Sequence, residues 1–172
     1  LPRYIIAGVF STSIRPLNIA MKKETLKECR LHFAKTANQQ VWKLLDKRGR
    51  SKEENELMIH SAHASCYHWL EVGTRIHNQR SHWLLSRVYT VTKDGPNALK
   101  HAKKCLELTQ KYPKEMKDFD VAYAYEAVAR ANFLNRQSVY GKKYLAIAQQ
   151  KGDKIKNPED KALFLKDLNF KN

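Results

Sequence analysis

Two stretches of this chain overlie one another when one is shifted by 43 residues. Ser86-Arg87 falls on Ala129-Arg130, Ala98 on Gly141, Lys100 on Lys143 and Cys105 on Ala148. Self-similarity on that length scale marks stacked supersecondary units, each too small to bury its apolar face alone. The punctuation says what the units are. Only 6 Gly and 5 Pro are spread over 172 residues, too few for the turns of a strand-rich fold. Between them the apolar residues recur at three- and four-residue spacing, which is helical. The repeating unit is a helix hairpin, and the chain is predicted to be all-α.

Seven helices are expected. The first runs from about Lys22 to Asp46, with Leu26, Cys29, Phe33, Ala37, Val41 and Leu44 as its apolar stripe. Gly49 is suited to a left-handed turn after it. Ser51-Lys-Glu-Glu54 is a capping-box pattern opening a second helix, Lys52 to Val72, which Gly73 stops. A third helix, about Asn78 to Thr92, is apolar nearly all round, as a helix packed on several sides must be. Asp94-Gly95-Pro96 starts a fourth, to Lys111. Asp118 or Asp120 can cap an Ala-rich fifth helix, Phe119 to Leu134. A sixth ends near Lys151, and Asn157-Pro158-Glu159-Asp160 begins a seventh carrying Leu163, Phe164 and Leu168.

Composition narrows the function. Hydrophobic residues at 42% and charged residues at 28% describe one globular domain, read here as residues 21–172. Residues 1–20 lack an initiating Met, and their apolar run Ile5–Phe10 is shorter than a signal-peptide core. They read as a non-native or disordered extension, with a short strand or a docked arm as the alternative. No run is long enough to span a membrane. Cys29, Cys66 and Cys105 are widely spaced and odd in number, so they read as small buried hydrophobes in a reducing cytoplasm. The formal charge of +15 comes mostly from Lys, and basic residues are spread along every helix. That is either a solvated surface or the footprint of a nucleic-acid or acidic partner.

The small residues at helix crossings and the aromatics Tyr89 and Phe133 closing each first helix resemble a divergent tetratricopeptide repeat. The phrases HSAHASCYHW, SRVYTV, ALKHAKKCLEL and DFDVAYAYEAVARA together resemble a family of small bacterial proteins of unknown function described as tetratricopeptide-like. The resemblance covers residues 25–168. It implies antiparallel hairpins wound into a right-handed α-solenoid, and it carries over no activity and no functional residue.

Candidate site residues come from helix wheels. On the second helix His60, Ala64, Tyr67 and Glu71 share one face, with His63 at its edge. His60 and His63 are one turn apart and are the candidates for a metal, but HxxH without the Glu of HExxH is a sparse ligand set. Packed histidines bonding between helices are the other reading. On the third helix Arg80 and Arg87 lie on the same side as Trp83, where an unpaired Arg is costly. Asp120 and Tyr123 share a face of the fifth. The expected groove is therefore His60, His63, Tyr67, Arg80, Trp83, Arg87, Asp120 and Tyr123, with the arginines holding an anionic group or else joining an internal ion-pair network. Glu126 and Arg130 read as an ordinary i,i+4 pair. Neither a GxSxG turn nor a glycine-rich phosphate loop occurs, and no cofactor is implied. The first expectation is a non-enzymatic module binding a peptide or protein. A small-ligand or metal protein centred on His60 and His63, and a basic nucleic-acid-associated protein, are the alternatives.

Overall fold

The computed structural model describes residues 23–168, so the expectation for residues 1–20 lies outside the described chain. Described residues form α1 (Lys23–Asp46), α2 (Lys52–Val72), α3 (Arg75–Val91), α4 (Gly95–Lys111), α5 (Asp118–Leu134), α6 (Ser138–Gly152) and α7 (Pro158–Leu168), with no strand among them. The all-α expectation holds. No helix among them is long and apolar enough to cross a membrane.

The helix starts follow their capping chemistry. Ser51 Oγ accepts the Glu54 N–H at 3.2 Å while Glu54 accepts the Ser51 N–H at 3.0 Å, which completes the box at α2. Asp94 accepts the Asn97 N–H at 3.1 Å at the head of α4, and Asn157 accepts the Asp160 N–H at 2.9 Å at the head of α7. Two starts differ from expectation. α3 begins three residues early because His77 accepts the Thr74 N–H at 3.1 Å and stacks on Trp69 at 4.2 Å, closing a short turn. At α5 the N-cap position is Lys117; Asp120 accepts its N–H at 3.1 Å from inside the first turn.

Two helix ends are copies of each other. After α3, Thr92 N–H donates to Val88 O, Lys93 to Thr90 O and Asp94 to Tyr89 O. After α5, Asn135 donates to Ala131 O, Arg136 to Phe133 O and Gln137 to Asn132 O, the same set 43 residues on. This is the Schellman arrangement, and it places Lys93 at φ 65° and Arg136 at φ 59°. The two turns then dock: Asn135 Nδ2 donates to Gly95 O at 2.8 Å, and a Cβ on Gly95 would lie 2.7 Å from Asn135 Oδ1.

Each helix packs on the next, most extensively as the pairs α1/α2, α3/α4 and α5/α6. Further contacts join α3 to α5 and α5 to α7. Arg80 reaches Asp120 and Arg130 reaches Thr90, both across 40 residues, so α3 and α5 lie side by side and run the same way. Val41, Met58, Leu85, Val88, Ala102, Cys105, Ala127 and Val128 build the main core; Ala122, Ala148, Ile155 and Phe164 form a second cluster under α7. Cys66 and Cys105 are buried free thiols, and Cys29 is half-buried. The stripe expected on α1 is partly misplaced: Leu26 and Phe33 are exposed, and the buried row is Ala34, Val41 and Leu44. The small side chain of Ala34 lets α2 come close enough for Ser65 Oγ to donate to Ala34 O at 2.9 Å.

Candidate functional site

A cavity of about 530 Å³ opens along α1, α3, α5 and α7. Each of these helices contributes residues one turn apart: Asn38, Trp42 and Asp46; Gln79, Trp83 and Arg87; Phe119 and Tyr123; Leu163 and Asp167. Residues at i, i+4 and i+8 share one helical face, and Arg80, Leu84 and Asp120 flank these rows on α3 and α5. Four aromatic side chains, Trp42, Trp83, Phe119 and Tyr123, line the cavity. Trp42 stacks on Trp83 with ring centroids 6.1 Å apart, and Trp83 meets Tyr123 edge to face at 5.3 Å.

Polar groups are held between these rings. Arg80 forks onto Asp120 through Nε at 2.8 Å and Nη2 at 3.0 Å, and Asp120 is buried. Arg80 is thereby neutralised in place. Tyr123 donates to Asp167 at 3.0 Å; burial first, and then the Asp167 charge, push the phenol pKa up. Arg87 approaches Asp167 only to 4.0 Å and makes no hydrogen bond to any described residue. Gln79 gives its amide N–H groups to Thr109 Oγ1 at 3.0 Å and Asp120 O at 3.3 Å. The Thr109 hydroxyl hydrogen is committed to Cys105 O, which fixes the amide's orientation. Gln79 Oε1 and Trp83 Nε1 are buried without a partner among the described residues.

Of the residues expected from sequence, Arg80, Trp83, Arg87, Asp120 and Tyr123 meet at this cavity. His60, His63 and Tyr67 do not line it. The reason is hairpin phase: α1 and α2 pair first, so α2 is an outer helix and α1 supplies the wall assigned to it. His60 is exposed on α2, and Tyr67 is exposed with the Arg30 guanidinium 5.5 Å above its ring. His63 Nε2 lies 2.7 Å from the Tyr89 hydroxyl. Asn38, Trp42, Asp46, Gln79, Leu84, Phe119, Leu163 and Asp167 were not expected. One signal points to part of the set: Asn38-Trp42-Asp46 overlies Gln79-Trp83-Arg87 with a shift of 41 residues.

A second cluster lies on α2, α3 and α4. His101 stacks on Tyr89 at 5.6 Å and on His82 at 5.3 Å, with the two Nδ1 atoms of His82 and His101 3.0 Å apart. Burial lowers both pKa values to about 4, with the nearby Lys104 and Lys100 and the neighbouring imidazoles adding to the effect. His63 is 5.8 Å from His101, ring to ring. Among the described residues no three His, Cys, Asp or Glu side chains are grouped to hold a metal ion.

Glu126 and Arg130 are an i,i+4 pair as expected, but they are buried rather than superficial. Arg130 Nε donates to Glu126 at 2.7 Å, Nη2 at 3.2 Å, and Nη1 reaches Thr90 Oγ1 at 3.1 Å. The pair is a tie between α5 and α3.

No family model, curated protein or solved structure matches the chain.

Proposed function

We propose that this protein is a non-enzymatic binding module that takes a peptide segment of a protein partner in the groove between α1, α3, α5 and α7. One observation carries the reading: an open, aromatic-walled cavity of about 530 Å³ with polar groups at fixed places. Clefts of that size and make-up are where ligands are held. Trp and Tyr in partly desolvated pockets are the side chains that anchor peptide partners. The duplicated hairpin ends and the side-by-side α3 and α5 support a tetratricopeptide-like right-handed solenoid, in which the first helix of each hairpin faces the groove. A reducing cytoplasm suits the buried thiols of Cys66 and Cys105.

The test is an isotope-labelled sample titrated to millimolar levels with a mixed blocked-peptide library. The indole N–H resonances of Trp42 and Trp83 are expected to move saturably, and that of Trp69 to stay. Unmoved groove indoles, or shifts confined to outer helix faces, refute the groove. Trp42→Ala, at a half-exposed rim position, is expected to weaken binding about ten-fold.

A further inference from the structure

The repeat supplies a template for what the groove holds. Arg130 on α5 and Arg87 on α3 occupy equivalent places, 43 residues apart. In α5 the residue one turn before the arginine is Glu126, and its two carboxylate oxygens cap the guanidinium at 2.7 and 3.2 Å. In α3 the residue one turn before is Trp83, so the arginine remains and its carboxylate is missing. The open cavity is there instead. Among the described residues Arg87 has one ionic neighbour, Asp167, whose Oδ1 stays 4.0 Å from Nη2, beyond hydrogen-bond reach, while its Oδ2 accepts the Tyr123 hydroxyl.

We propose that a glutamate or aspartate side chain of the partner peptide docks on Arg87, taking the position that Glu126 takes on Arg130. The inference rests on the groove reading and names the chemistry read there. Guanidinium and carboxylate match as a planar fork, and a partly desolvated fork discriminates against a neutral isostere. Arg80 is excluded as the anchor because Asp120 already fills its fork. Asp46 and Asp167 also line the cavity, which disfavours a dianion and selects a carboxylate over a phosphate group. The formal charge of +15 favours an acidic segment over a single terminal carboxylate, since it draws in a chain of many acids. The apolar walls of Trp42, Trp83 and Phe119 take the residues beside the acid.

The experiment passes acetylated, amidated heptapeptides over the immobilised full chain. One library has a fixed central Glu between apolar residues, the other a central Gln. The wild type is expected to retain the Glu library about ten-fold better. Arg87→Gln should bring the ratio to about one, and Arg87→Lys, which keeps the charge without the fork, to an intermediate value. Trp83→Glu restores the α5 pattern within α3 and should also abolish the preference. Equal retention of both libraries by the wild type overturns the inference and leaves the groove reading standing. Survival of the preference in Arg87→Gln also overturns it. A Gln library with a free C-terminus that is retained as well as the blocked Glu library assigns the carboxylate to a chain end, and so overturns the side-chain assignment. Retention of neither library overturns both readings. Melting curves verify that each variant folds, and Arg87→Lys carries the test if Arg87→Gln does not.

Discussion

Arg80, Arg87 and Arg130 are three arginines on the inner helices with three different fates. Arg80 is forked onto Asp120, Arg130 is buried under Glu126, and Arg87 makes no hydrogen bond to a described residue. Removing a partner from a buried pair leaves an uncompensated charge. Glu126→Ala is therefore expected to destabilise the fold by about 3–5 kcal/mol, read from the urea midpoint. Replacing both Glu126 and Arg130 by apolar residues of similar volume should recover most of that loss. An equal loss in the single and double variants would show that the effect is packing rather than charge. The spacing of Glu126 and Arg130 was legible in the sequence, because i,i+4 residues touch on any helix. Their burial was not, because it depends on α3 lying against that face of α5. Trp42 was missed for a related reason. It lies outside the apolar stripe of the first helix, and it stands half-exposed at the groove rim.

Helix ends were the most readable elements, since a cap is a contact between residues a few positions apart. Ser51, Asp94 and Asn157 each do what their spacing predicts. The start of α3 was less readable, because His77 is held by Trp69 of the preceding helix. The paired hairpin ends carry strain of their own. Lys93 and Arg136 sit in the left-handed region, at φ 65° and 59°. An L side chain there costs about 1–2 kcal/mol, and glycine gives back about 0.5–1 kcal/mol in lost freedom. Lys93→Gly and Arg136→Gly are each expected to stabilise the protein by about 0.5–1 kcal/mol. A lowered urea midpoint in either variant would mean that the side chain does more than close a turn.

The all-α class followed from periodicity, and the hairpin unit from the 43-residue overlay. Which helix of the first hairpin faces inward did not follow, since reversing the phase preserves every local pattern. That reversal placed His60, His63 and Tyr67 in the groove in place of Asn38, Trp42 and Asp46. The histidines have a consequence for the molecule as a whole, because His63, His82 and His101 join α2, α3 and α4. His82 and His101 titrate at about 4 in the fold, against 6.5 for a free imidazole. The unfolded chain takes up protons first as pH falls. Their contribution is thus complete above about 6.5 and is lost as pH falls toward about 4. His63, Lys100 and Lys104 disfavour the charged rings, and Glu107 opposes them at His82. The urea midpoint is expected to drop between pH 6.5 and 4, and His101→Phe, which keeps the ring on Tyr89, should flatten that drop. A profile unchanged by the substitution would assign the acid sensitivity to other groups.

The helices that wall the groove are not equally anchored. α5 packs on α3, α4, α6 and α7, and 10 of its 17 residues are buried. α1 packs along α2 and meets α3 through the ring of Trp42 on Trp83. α1 shares core residues such as Val41 and Leu44 with α2, but across the groove it is tied to α3 more lightly than α5 is, so it is the side expected to yield first. The groove therefore has one lightly tied side and one fixed side. If the groove binds as proposed, a ligand too bulky for the resting cavity is expected to enter by displacing α1, while the Arg87 wall and the α5 face keep their geometry.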